Sequence, residues 1–202
     1  MNKAVFYQKL AQAMLHLDFR PRASDLTPAG LSTDRDKPSS IAMAAAQNSP
    51  AGVPQPVSDQ ERIQQHLDKI PDWAAAVWYK YVMAQPVVIA VVEADRLAPE
   101  EIVGMANRFD EIVQEMLDVT GKLGFTKLSV TGIILLVFFD PTSAATFVAR
   151  AQRRCKIWHF FQKTWVLPWV VDVSNEAVNS HPGLPFLFGV LSADRLQKEI
   201  FQ

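Results

Sequence analysis

The strongest constraint on the fold is an uninterrupted apolar run, Val-Val-Ile-Ala-Val-Val, at residues 87–92. All but one of these residues are β-branched, and β-branched side chains favour strands. A strand with one face in water alternates apolar and polar residues, and this run does not. The run therefore predicts a strand that is covered on both faces or lies at the centre of a sheet.

A long helix is predicted directly after this strand. Pro99 suits the first helical turn, and the acidic pair Glu100 and Glu101 lies where the helix dipole is positive. Apolar residues then recur every three or four positions, and Gly121 or Gly124 ends the helix. These apolar positions are Ile102, Met105, Phe109, Ile112, Val113, Met116 and Leu117.

The rest of the C-terminal part continues the alternation of strands and helices. We predict β segments over 125–139 and 165–173, a helix from Asp140-Pro141 to about residue 161, a return strand through Val178, and a final helix capped by Ser192. Before residue 87, the apolar spacing predicts two helices, over 59–70 and 72–84.

This order of elements predicts an α/β domain with a small sheet of three to five strands packed with helices. If residues 125–130 form a strand of their own, the fold becomes a ferredoxin-like α+β sheet that is mostly antiparallel. If they do not, three strands run parallel through crossover helices.

The N-terminal part differs in composition. Residues 1–20 form an amphipathic helix with Phe6, Leu10 and Met14 on its apolar face. Residues 21–58 contain six prolines and few large apolar residues, so they predict a disordered linker. The chain then divides into a helix at 1–20, a linker at 21–58 and a globular α/β domain at 59–202, with the helix loosely tethered.

Charge and cysteine content narrow the function classes. The formal net charge is −1, so any nucleic-acid surface has to be local. The single cysteine, Cys155, rules out a cysteine-based zinc cluster and an internal disulfide, and it favours a reducing, cytoplasmic location. No apolar run has the length of a membrane span. No Gly-rich phosphate-binding loop is present either, and we expect no cofactor.

Acidic residues follow the predicted strands. Asp95, Asp140 and Asp172 lie at or near three strand ends, and in a parallel sheet they would gather at one edge. Three such oxygen ligands would suit Mg²⁺ and an enzyme that acts on phosphate esters. The alternative is structural, because aspartates at these positions also cap helices and begin turns.

Basic and aromatic residues are concentrated in one stretch, which contains Arg150, Arg153, Arg154, Lys156, Trp158, Lys163 and Trp165. Basic side chains beside aromatic rings suit single-stranded nucleic acid or an acidic partner. The alternative is a helix whose aromatic residues pack on the sheet while its arginines remain in water.

Pro168 interrupts the strand predicted next. Because proline cannot donate a hydrogen bond, this strand belongs at a sheet edge or a bulge. An apolar edge bounded by Trp165 and Trp169 would bind another protein or a second copy of the chain.

We therefore expect a non-enzymatic adaptor or regulatory protein that binds a protein partner, with self-association as one form of this. The basic stretch with Trp169 would provide one surface, and Phe6, Leu10 and Met14 of the tethered helix a second. The alternatives are the metal-dependent phosphate-ester enzyme and a single-stranded nucleic-acid binding protein that uses residues 150–165.

Overall fold

The structure is a computed structural model that describes residues 1–22, 25, 65–71, 73–82, 85–120, 130–150, 164–180, 186–187 and 191–202. Its helices are α1 (Lys3–His16), α2 (Pro99–Thr120), α3 (Pro141–Arg150) and α4 (Ala193–Phe201). Its strands are β1 (Arg20–Pro21), β2 (Ala76–Val82), β3 (Gln85–Glu93), β4 (Val130–Phe138), β5 (Thr164–Asp172), β6 (Ala177–Asn179), β7 (Phe186–Leu187) and β8 (Leu191–Ser192). None of these helices is long and apolar enough to cross a membrane.

The described strands form a mixed sheet in the order β1-β2-β3-β4-β5-β6, and β7 and β8 pair separately. β4 is parallel to both β3 and β5, whereas the remaining pairs are antiparallel. The predicted α/β class is confirmed. β3, β4 and β5 lie side by side and run parallel, which matches the predicted alternative of three parallel strands joined by crossover helices and not the ferredoxin-like one.

Helices cover the sheet on both sides, as the apolar run at 87–92 predicted. Val88, Ala90 and Val92 face α2 and α3, which we call the α2 face. Ile89 and Val91 face α1 and α4, the α1 face. All of these side chains are buried, so alternation of polar and apolar residues along β3 would be unfavourable.

Three helix starts follow the sequence signals. α2 begins at Pro99 with Glu100 and Glu101 in its first turn. The backbone N–H of Ser143 donates to Asp140 Oδ2 at the start of α3, and the N–H of Arg195 donates to Ser192 Oγ at the start of α4. These caps form because a short side chain before a helix accepts from its otherwise unpaired N–H groups.

The prediction of a helix over 72–84 is wrong, because residues of this region form β2 (Ala76–Val82), which pairs with β3. Its apolar residues alternate between the two covered faces, with Val77 and Tyr79 on the α2 face and Trp78 on the α1 face. A strand buried on both sides has apolar residues at every position, and some of them fall at helical spacing by coincidence. Of the helix predicted over 59–70, residues 65–67 are helical and residues 59–64 lie outside the described residues.

The expectation of a loosely tethered N-terminal helix is also overturned, because α1 is part of the core. Phe6, Leu10 and Met14 are at most 1% exposed and pack on the α1 face. At the far end of the helix, His16 Nδ1 lies 2.7 Å from Glu199 Oε2 of α4. The apolar stripe of α1 covers a sheet face that would otherwise lie in water.

The first residues of the predicted linker also belong to the fold. Arg22 is buried and forms an ion pair with Asp25, with Nη2 2.8 Å from Oδ1. Its Nη1 donates to the carbonyl of Ile70 at 2.8 Å, and Val77 N donates to Asp25 Oδ2 at 2.7 Å. The described residues on the two sides of 26–64 therefore lie at one corner of the fold, where Arg22 contacts Ile70 and Asp25 contacts Val77 of β2.

Candidate functional site

The parallel strands β3, β4 and β5 all end at the same edge of the sheet, the carboxyl edge. Glu93, Phe138 and Asp172 are the last residues of these strands. In open α/β sheets, ligands bind at this edge where the strand order reverses and opens a crevice. Here β3, β4 and β5 are neighbours in the sheet in the same order as in the chain, and both connecting helices, α2 and α3, pack on the same face. The strand order therefore does not reverse among the described parallel strands, and no crevice of this kind forms between them.

Asp95, the first of the three predicted metal ligands, joins two strand ends. Its Oδ1 accepts hydrogen bonds from the backbone N–H groups of Phe139 at 3.0 Å and Asp140 at 3.1 Å. The loop after β3 is thus fastened to the loop after β4. This geometry gives Asp95 a structural role in organising the carboxyl edge.

Asp140, the second candidate, caps α3. Oδ2 accepts from both the backbone N–H and the hydroxyl group of Ser143, at 2.9 and 2.6 Å. The hydroxyl hydrogen bond is the main cause that holds the pKa of Asp140 below its ordinary value, and the backbone hydrogen bonds from Ser143 and Thr142 add to it. Its carboxylate is stabilised as a helix cap, as the structural alternative predicted.

Asp172, the third candidate, begins the tight turn from β5 to β6. Its Oδ1 accepts from the backbone N–H of Asn175 at 3.0 Å, and its Oδ2 accepts from the Asn175 side-chain amide at 2.8 Å. Glu176 completes this turn with a positive φ of 52°. Among the residues that the structure describes, no three His, Cys, Asp or Glu side chains are placed to hold a metal ion.

Glu93 connects the carboxyl edge to α1. It accepts hydrogen bonds from Lys3 Nζ at 2.5 Å and from the hydroxyl group of Tyr7 at 3.0 Å. Burial, followed by the hydrogen bond to Glu93, raises the pKa of Tyr7 well above its ordinary value. Tyr7 therefore remains a neutral hydrogen-bond donor, which suits an anchor for α1 and not a general base.

Sequence reasoning missed this Lys3–Tyr7–Glu93 contact. Its members are separated by 86 and 90 positions in the chain, so no local spacing connects them. Only the i, i+4 placement of Lys3 and Tyr7 on one helix face is visible in the sequence.

The basic and aromatic stretch lies mostly outside the described residues, and this applies to Arg153, Arg154, Lys156, Trp158 and Lys163. Its two ends are placed by the backbone. Arg150 is the last residue of α3, and Trp165 is the second residue of β5. Because β5 is parallel to β4, the chain enters β5 at the amino edge of the sheet, opposite to the acidic carboxyl edge.

Trp169, which we predicted to bind a partner, is fully buried on the α1 face. Its indole N–H has no hydrogen-bond partner among the described residues, so packing holds the side chain in place. Phe6, Leu10 and Met14 are buried in the same cluster. In this fold these four side chains stabilise the core and are not available to a partner.

The outer edge of β5 explains how the strand accommodates Pro168. Val173 N donates to the carbonyl of Phe138 in β4, at 2.9 Å. Since successive N–H groups of a strand point to opposite edges, those of even-numbered residues in β5 point away from β4. Position 168 therefore faces outward, where its missing N–H interrupts no hydrogen bond to β4.

Comparison with known protein families and with curated proteins gives no match to this chain.

Proposed function

We propose that this protein is a non-enzymatic adaptor or regulatory protein that binds an acidic protein partner at the amino edge of its sheet. The binding residues are the basic and aromatic side chains of residues 150–165. The proposal keeps one of the two surfaces expected from the sequence. The other, the apolar face of α1, is occupied by the protein's own sheet.

The observation that carries the proposal is the separation of charge along the parallel strands. Glu93, Asp95, Asp140 and Asp172 lie at the carboxyl edge, whereas the basic stretch joins β5 at the amino edge. β5 contains nine residues, so the two edges are about 30 Å apart at roughly 3.3 Å per residue.

This separation matters because salt screens charges over short distances. The Debye length is about 8 Å at physiological ionic strength, so carboxylates at the far edge have little effect on charges where the basic stretch joins β5. Residues 141–171 contain five Lys and Arg residues and no Asp or Glu. A local positive field of this kind speeds the encounter with an acidic partner, and aromatic residues supply much of the contact energy once it is bound.

The strand-end aspartates favour this proposal over the phosphate-ester enzyme. Asp95, Asp140 and Asp172 accept hydrogen bonds that join strand ends, cap a helix and form a turn. Each carboxylate already has a structural role, and none needs a metal ion to account for its position.

The test compares two charge-reversed variants of the full chain. Arg153→Glu/Arg154→Glu changes the basic stretch, and Arg108→Glu/Arg195→Glu changes two exposed arginines on α2 and α4 by the same total charge. The probes are a fluorescent peptide rich in Glu with aromatic residues and a single-stranded oligonucleotide, both measured by fluorescence anisotropy over a salt titration.

We expect the first variant to bind the acidic peptide about tenfold more weakly, which is roughly 1.4 kcal/mol, and the second to bind it like the unmodified protein. Equal loss in both variants would reduce the effect to net charge and overturn the proposal. Binding of the oligonucleotide in preference to the peptide would make the stretch a nucleic-acid surface instead.

A further inference from the structure

We draw no further inference here: the strongest candidate, the exposed and uncharged outer side of helix α1 formed by Ala4, Val5, Gln8 and Gln12, carries no proposal because nothing in the structure shows what covers it.

Discussion

Truncation of Phe6 to alanine tests whether α1 belongs to the core. The Phe6 ring is fully buried, and its centroid lies 5.7 Å from that of Phe139 and 6.4 Å from that of Phe201. Removing it forfeits about 2–3 kcal/mol of transfer free energy, and the cavity left behind raises the total to about 3–5 kcal/mol. For a protein of this size, that loss lowers the Tm by roughly 6–20 °C.

The assay is urea unfolding of the full chain, followed by tryptophan fluorescence and analysed for the free energy of unfolding. Val5→Ala is the matched control, because Val5 lies beside Phe6 on the same helix but is 41% exposed. We expect the control to change stability by less than about 0.5 kcal/mol. If Phe6→Ala is no more destabilising than Val5→Ala, α1 is a tethered helix after all and the docked arrangement is refuted.

Four further predictions concern stability. Replacing residues 27–57 with a four-residue Gly-Ser linker shortens the connection from 39 residues to about 12 and should stabilise the protein by about 1 kcal/mol, since a shorter loop costs less closure entropy. Asp25→Ala should destabilise it by about 3 kcal/mol, because the largely buried Arg22 loses its ion-pair partner. Gly104→Ala should stabilise α2 by about 0.5–1 kcal/mol because the added methyl group meets open space, whereas Gly132→Ala should cost about 1–3 kcal/mol because its Cβ would lie 2.9 Å from Phe109. The free energy of unfolding of Asp140→Asn should fall less steeply with acidification than that of the unmodified protein. The lowered pKa of Asp140 stabilises the fold above the ordinary aspartate pKa, and this contribution is lost as pH falls through the lowered pKa.

Denaturant unfolding checks the first three predictions, and its repetition at several pH values checks the last. A destabilised loop variant would contradict the view that the described residues on the two sides of 26–64 lie at one corner of the fold. Asp68→Ala, at an exposed site, is the control for Asp25→Ala, and equal losses would contradict the buried ion pair. Losses of similar size in the two glycine variants, or parallel pH profiles for Asp140→Asn and the unmodified protein, would refute the local geometry at those sites.

Several elements were predictable because their signals are local. The β-branched run of β3, the proline and acidic residues that begin α2, and the capping residues Asp140 and Ser192 act within one or two helical turns. β2 was not predictable in this way. Its spacing fits a helix as well as a buried strand, and pairing with β3 decides between them.

In the candidate site, too, local patterns predicted some features, whereas others depended on residues far apart in the chain. The sequence placed Asp95, Asp140 and Asp172 at strand ends, and the structure confirms that they share one edge. Whether their carboxylates would bind a metal ion or accept backbone hydrogen bonds depended on neighbours from other elements, such as Phe139, whose N–H donates to Asp95. The basic stretch remains a prediction from sequence, and the structure adds only that it enters the sheet at the amino edge.

By itself, the sequence determined the α/β class, the long helix α2 and the helix caps, because these follow from neighbouring residues. It also determined that Pro168 requires a position where no neighbouring strand needs its N–H group. Only the tertiary structure decided that α1 belongs to the core and that Arg22 and Asp25 close one edge of the sheet. These features join residues far apart in the chain. Their stability comes from burying surface and satisfying backbone groups between elements, which no local pattern records.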